Sequence, residues 1–245
     1  MTLWGWFGTV HLAALLLGAA LLFSLYFLLK NRSEKIQWLV LGILSLSGIA
    51  AIVYNLLAWG SPLEYLPLHL CSINAILLPI AILTRSRMIG NLLLLWGLGA
   101  LFANLMTFYP TAWEDLYGPP FLFFYLPHIL EFGIPILLFK LGLFRKEVKY
   151  LASTLGITVA IYTVVHGINK LLNRYFAESE IVDAAGETVQ INYMYSIEPD
   201  NPLLELFWEL IPYEYWYMFL VFPIVGVYLL ILCLPQLWKR RKIAA

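Results

Sequence analysis

Seven apolar stretches, each of membrane-crossing length, leave this 245-residue chain few folds to choose from. A helix needs roughly 20 apolar residues to cross the hydrocarbon of a bilayer. Residues 3–29, 36–59, 65–83, 88–109, 120–142, 148–173 and 213–234 meet that need, give or take their edges. Backbone N–H and C=O groups find no water at that depth, so each stretch must satisfy them internally as a helix. Of all residues 62% are hydrophobic and 12% charged, more apolar surface than a soluble domain of this size can hide. The expectation is an all-α, polytopic membrane bundle of seven transmembrane helices forming a single domain over residues 1–245. Zero net charge argues against a nucleic-acid partner, and two cysteines give no disulfide framework. The first run lacks a basic leader and is too long for a signal-peptide core, so it reads as a retained span. No internal repeat points to an inverted-repeat transporter.

Charge orients the bundle. The connections 30–35, 84–87 and 140–149, with the tail 239–242, hold 13 of the 15 Lys and Arg. The alternate connections hold most of the Asp and Glu. Basic loops stay cytoplasmic, which predicts the N-terminus outside, the C-terminus inside and a multi-pass protein of the cell membrane. The long outer loop, residues 174–212, precedes the last helix. Residues 180–191 alternate weakly around Gly186 and suggest a hairpin. Asn201-Pro202 is a helix-start signal. Leu203, Leu206, Phe207 and Leu210 then mark one face of a short amphipathic helix on the outer surface. A loop of this length reads as a lid or as a tether.

With this topology, residue number becomes depth. His11, His69, His128 and His166, all the histidines of the chain, fall in the outer half of the membrane. Asn55, Asn74, Asn104, Glu131 and Asn169 lie in that half or near the middle. Polar groups are costly at this depth and mark function by default, so the layering predicts a shared polar site open to the extracytoplasmic side. Each histidine singly also fits a hydrogen-bonded helix contact. His11, with Gly8 one turn before it, reads as such a packing site.

The stretch Leu66-Pro67-Leu68-His69-Leu70-Cys71-Ser72-Ile73-Asn74 is the densest in chemistry. Pro67 fits the first position of the third span, which puts Cys71 near a helix N-terminus, where the dipole favours negative charge. Burial opposes ionisation, and a paired base would resolve the conflict. On a regular helix His69 is about 200° from Cys71, whereas Cys71 and Asn74 share a face. The base should then come from another span, unless Pro67 distorts the turn. His128 is the best candidate. It follows Pro127, which frees a backbone carbonyl one turn back, and it has Glu131 one turn on to fix its tautomer. His166, with Tyr162 and Asn169 on its face, reads as substrate-binding, as do Asn74 and Asn104. Cys233, near the inner end of the last span, reads as packing. The chain has no cofactor motif, and no metal ligands are assigned.

The Leu66–Ile73 motif with Leu78-Pro79, Asn192-Tyr193-Met194-Tyr195 with Pro199, and Pro212 with Trp216-Tyr217 resembles the YwaF-like family of bacterial integral membrane proteins over most of the chain. That family is similar to an animal transmembrane acyltransferase family that remodels ether phospholipids, and in architecture to membrane lipid hydrolases using a Thr and a His. The resemblance implies a lipid-ester enzyme with Cys71 or His69 in the nucleophile region and His128 as partner. The pattern departs in one place: the animal family sets its cysteine directly before the histidine, whereas here Leu68 stands there and Cys71 follows His69 by two.

The expected function is thus acyl transfer or lipolysis on phospholipid acyl esters from the outer leaflet, with Cys71, His128, Glu131 and His69 as catalytic group and a phospholipid or lysolipid as partner. A seven-span metal-dependent lipid hydrolase and a non-enzymatic transporter or scaffold are the alternatives.

Overall fold

The computed structural model describes residues 8–58, 63, 65–106, 113–119, 121–182, 186–229 and 231. Within them the chain forms α1 (Thr9–Leu29), α2 (Glu34–Ala58), α3 (Leu70–Thr84), α4 (Arg87–Met106), α5 (Leu126–Lys140), α6 (Leu151–Glu178) and α7 (Pro202–Leu210), then α8 (Tyr217–Leu229). Short 3-10 turns lie at Trp113–Tyr117, Val148–Tyr150 and Tyr193–Tyr195. The architecture is all-helical among the described residues. Five helices are long and apolar enough to cross a membrane: α1, α2, α4, α5 with the turn before it, and α6. The third and seventh expected spans coincide with α3, apolar but shorter, and with α8, also apolar, which is described as far as Leu229. Cys233 lies outside the described residues.

α3 is short for a local reason. Pro67 does not open the helix. It sits in a turn closed by Leu68 N–H donating to the Leu66 carbonyl at 2.7 Å. His69 is extended (φ −67°, ψ 150°) and caps a helix that starts at Leu70. The 15 residues of α3 rise about 22 Å against a hydrocarbon core of about 30 Å. Its far end stops at Arg85, in the left-handed region (φ 52°).

The chain divides into two compact units, Met1–Tyr150 and Leu151–Ala245. In the first unit α5 is central, packing on α4, α2, α3 and α1. Small residues let these backbones meet, the usual device where lipid tails compete equally for apolar side chains. A Cβ at Gly133 of α5 would come within 2.1 Å of Leu22 of α1. One at Gly48 of α2 would come within 2.5 Å of the Ala75 Cβ of α3. The ends of α3 and α5 share an apolar core of Leu41, Leu78, Ile82, Leu93, Ile134 and Leu138. Near it Phe144 folds back edge-on to Trp38 at 5.5 Å. Two basic connections meet there: Glu147 takes Lys149 at 2.7 Å and Arg87 at 3.3 Å, and its N–H donates to Asn91 Oδ1. Cys71, Ser72 and Asn74 of α3 and His128 and Glu131 of α5 lie in the N-terminal halves of their helices, away from this apolar core.

In the second unit the loop after α6 is bound back onto α6. The suggested hairpin reduces to one antiparallel bridge, Val182 with Thr188, beside Gly186 at φ +85°. α7 begins as the sequence signals, with Asn201 Oδ1 accepting the Leu204 N–H at 3.2 Å. Its buried residues are Leu204 and Phe207, packed on Tyr217, whereas Leu206 and Leu210 are exposed. Only Phe207 of the expected apolar face is buried, because Tyr217 approaches from one residue further round the helix.

Candidate functional site

The polar end of the first unit gathers residues from α2, α3 and α5. His69, at the N-cap of α3, and His128, on α5, are within electrostatic reach of each other. Glu131 is within reach of His128, Cys71 and Asn74. Cys71, Asn74, Glu131, His128 and His69 thus form one cluster, drawn from segments some sixty residues apart in the chain. Asn74, His128 and Glu131 are buried; Cys71 and His69 are partly buried. Gly48 of α2 closes one side: a Cβ there would stand 3.3 Å from Glu131 Oε1.

His69 stands outside the regular helix, so the 200° separation expected between it and Cys71 does not describe them. Cys71 is the second residue of α3, in the turn whose N–H groups have no helical acceptors. Its sulfur interacts with the side chain and N–H of Ser72 and with its own N–H.

His128 owes its place to an irregular backbone. Residues Phe121–Tyr125 form a π-helical turn leading into α5, with Pro127 in the first turn of α5. Such turns re-aim side chains and recur at functional sites. His128 Nδ1 lies 2.7 Å from the Phe124 carbonyl. A carbonyl can only accept, so Nδ1 carries the proton and Nε2 keeps a free lone pair. The Phe124 ring packs against the imidazole at 4.6 Å. The tautomer is therefore set by a backbone carbonyl, where the sequence suggested Glu131. Glu131 instead shares a side-chain hydrogen bond with Asn74.

The remaining candidates are placed elsewhere in the fold. Asn104 donates to the Ala100 carbonyl of its own helix at 3.2 Å. His11 Nδ1 pairs with the Tyr125 hydroxyl at 2.5 Å, a helix contact. Tyr162, His166 and Asn169 belong to the second unit. Tyr162 OH donates to the Tyr215 carbonyl at 3.0 Å. His166 Nδ1 meets Ser196 Oγ at 3.1 Å. Asn169 accepts the Tyr193 N–H at 3.1 Å and donates to the Tyr193 carbonyl at 2.8 Å and to Ser196 Oγ at 2.9 Å. Asn173, one turn on, repeats the exchange with Ile191 at 2.6 and 3.0 Å. These side chains hold the loop on α6. Sequence reasoning passed over Asn173 and Gly48. The four-residue spacing of Asn169 and Asn173 was a visible signal, whereas nothing local marks Gly48. Among the described residues, no three His, Cys, Asp or Glu side chains are set to share a metal ion.

Fold and site together define a multi-pass helical membrane protein whose first unit sets thiol, imidazole, amide and carboxyl side chains near one another on α3 and α5. A family model matches residues 6–233, and the chain belongs to the TMEM164 family, a family of transmembrane proteins. No curated protein and no solved structure matches it. The family match carries a membrane location and no activity, and it does not bear the YwaF-like name.

Proposed function

We propose that this protein is a membrane-embedded acyltransferase or lipase acting on phospholipid acyl esters, with Cys71 as nucleophile and His128 as general base. The observation that supports the reading is that Cys71 and His128 both lie within electrostatic reach of Glu131, with Nε2 of His128 left free to take a proton. Nucleophile, base and fixed tautomer are the parts that acyl transfer requires. Nε2 removes the thiol proton, and Sγ attacks the acyl carbonyl carbon. The C–S bond forms, the ester C–O bond breaks, and the departing lysolipid oxygen takes the proton from His128. The acyl group then passes to a lysolipid hydroxyl or to water.

In this reading α3 and α8 complete a seven-span bundle, N-terminus outside and C-terminus inside, and the site opens toward the outer leaflet of the cell membrane. The split between basic and acidic connections supports the orientation. The loop 174–212 is tied to α6 by Asn169 and Asn173.

The test is acyl exchange between phospholipid and lysolipid by protein in nanodiscs. Cys71→Ala should lower the rate to background, while His166→Ala should leave a substantial rate. Full activity of Cys71→Ala on every lipid tried would reject the assignment.

A further inference from the structure

Three connections of the first unit, 30–35, 84–87 and 140–149, meet around one small core of Leu29, Trp38, Ile82 and Phe144. The helices reach them at Leu29 of α1, Glu34 of α2, Thr84 of α3, Arg87 of α4 and Lys140 of α5. All of these but α3 belong to helices long and apolar enough to cross a membrane, so the connections lie where spans leave the hydrocarbon, among lipid headgroups. They carry nine Lys and Arg against two carboxylates, Glu34 and Glu147. Both carboxylates are engaged within the protein. Glu34 accepts the Trp38 indole N–H at 3.0 Å, and Glu147 holds Lys149 at 2.7 Å and Arg87 at 3.3 Å. A large positive surplus is left at this end.

Arg85 stands at its centre. It closes α3 in the left-handed region (φ 52°), and its guanidinium lies over the Trp38 ring, 5.2 Å from the centroid. Trp38 is buried and backed by Phe144, which gives the cation a fixed seat. A guanidinium stacked on its face keeps its N–H edge for an oxyanion. No carboxylate among the described residues pairs with Arg85. Arg87, two residues on, is exposed and shares its one carboxylate with Lys149. One turn apart on α3, Ile80 and Leu83 are exposed and run from Arg85 toward the hydrocarbon. Phosphate-binding cations beside an exposed apolar track suit a lipid better than a free anion. We propose that Arg85 and Arg87 seat the phosphate of an anionic phospholipid, whose acyl chains follow Ile80 and Leu83. The site depends neither on the acyl-transfer reading nor on which leaflet this end meets.

Native mass spectrometry of the purified protein tests the site. The probes are diether phosphatidylglycerol, diether phosphatidylcholine with the same chains, and glycerol phosphate; the ether links exclude turnover. A basic residue near an anionic headgroup contributes about fivefold in affinity. Phosphatidylglycerol should therefore bind more than about tenfold tighter than phosphatidylcholine, and glycerol phosphate should not be retained. Arg85→Gln and Arg87→Gln should each lower phosphatidylglycerol affinity about fivefold and leave phosphatidylcholine unchanged. Replacing the tail cations Lys239, Arg240, Arg241 and Lys242 by Gln should keep the preference. Equal affinities for the two lipids would overturn the site, as would a preference lost with the tail and kept in both arginine variants. Glycerol phosphate retained as tightly as the lipid would overturn it too. The wild-type comparison needs no variant, and Arg85 and Arg87 are both exposed, so either can be replaced without touching the core.

Discussion

Cys71 and His69 illustrate what single residues can and cannot reveal in sequence. Their chemistry was legible, because a histidine, a thiol and an amide within six residues of an apolar stretch are rarely accidental. Their mutual geometry was not. It turns on where α3 begins, and the turn at Pro67 moves that start to Leu70. The distorted backbone before His128 was legible from its prolines. The identity of its orienting partner was not, because the Phe124 carbonyl is backbone and carries no sequence mark. His128→Gln should lower the transfer rate by about 10²- to 10⁴-fold, the usual contribution of a positioned base. Lysolipid affinity in diether nanodiscs should barely change, and a matching loss of affinity would move His128 from catalysis to binding. Gly48→Val tests packing at the same spot. With Ala75 Cβ only 2.5 Å from any added Cβ, overpacking should destabilise the protein by about 1–3 kcal/mol. A fall in melting temperature in detergent would register it, and an unchanged midpoint would refute the close approach of α2 and α3.

Among the elements, α1, α2, α4 and α6 follow from the apolar runs, with ends shifted by a few residues. α7 follows from its Asn-Pro start, but its buried face was misjudged, because the partner Tyr217 comes from α8 and no helical period encodes that. The clamp of Asn169 and Asn173 on the loop backbone belongs to this scale. Asn169→Leu removes hydrogen bonds to Tyr193 and Ser196, a loss of about 1–3 kcal/mol locally. Limited proteolysis within residues 174–212 should speed up, and an unchanged cleavage rate would contradict the clamp. The contact of Glu147 with the exposed Lys149 and Arg87 is pH-sensitive. The hydrogen bond from Lys149 holds the Glu147 carboxyl below its ordinary value, and the same bond raises Lys149. A lowered acid stabilises above its unfolded value of about 4.3 and loses this as pH falls through the folded value. The raised Lys149 contributes below about 10.4 and loses this as pH rises further. Glu147→Gln should therefore flatten the acid limb of a melting profile below about pH 4. A limb identical to that of the wild type would exclude the pair as its source.

For the whole molecule, membrane class and helical architecture were legible because lipid permits little else. The count of spans was less so. Composition marks seven stretches, and five helices among the described residues reach full length; α3 falls short because the turn at Pro67 takes residues that hydropathy assigns to its span. Meetings between helices distant in sequence, such as Glu131 with Asn74, had no local signature. The account stands or falls on a covalent intermediate. Its most direct test is intact-mass spectrometry of the purified protein after incubation with an ester phospholipid and no lysolipid. The account predicts a mass increase of one acyl group on Cys71, removed by hydroxylamine and absent from Cys71→Ala. An unmodified Cys71 during ongoing phospholipid turnover would contradict it.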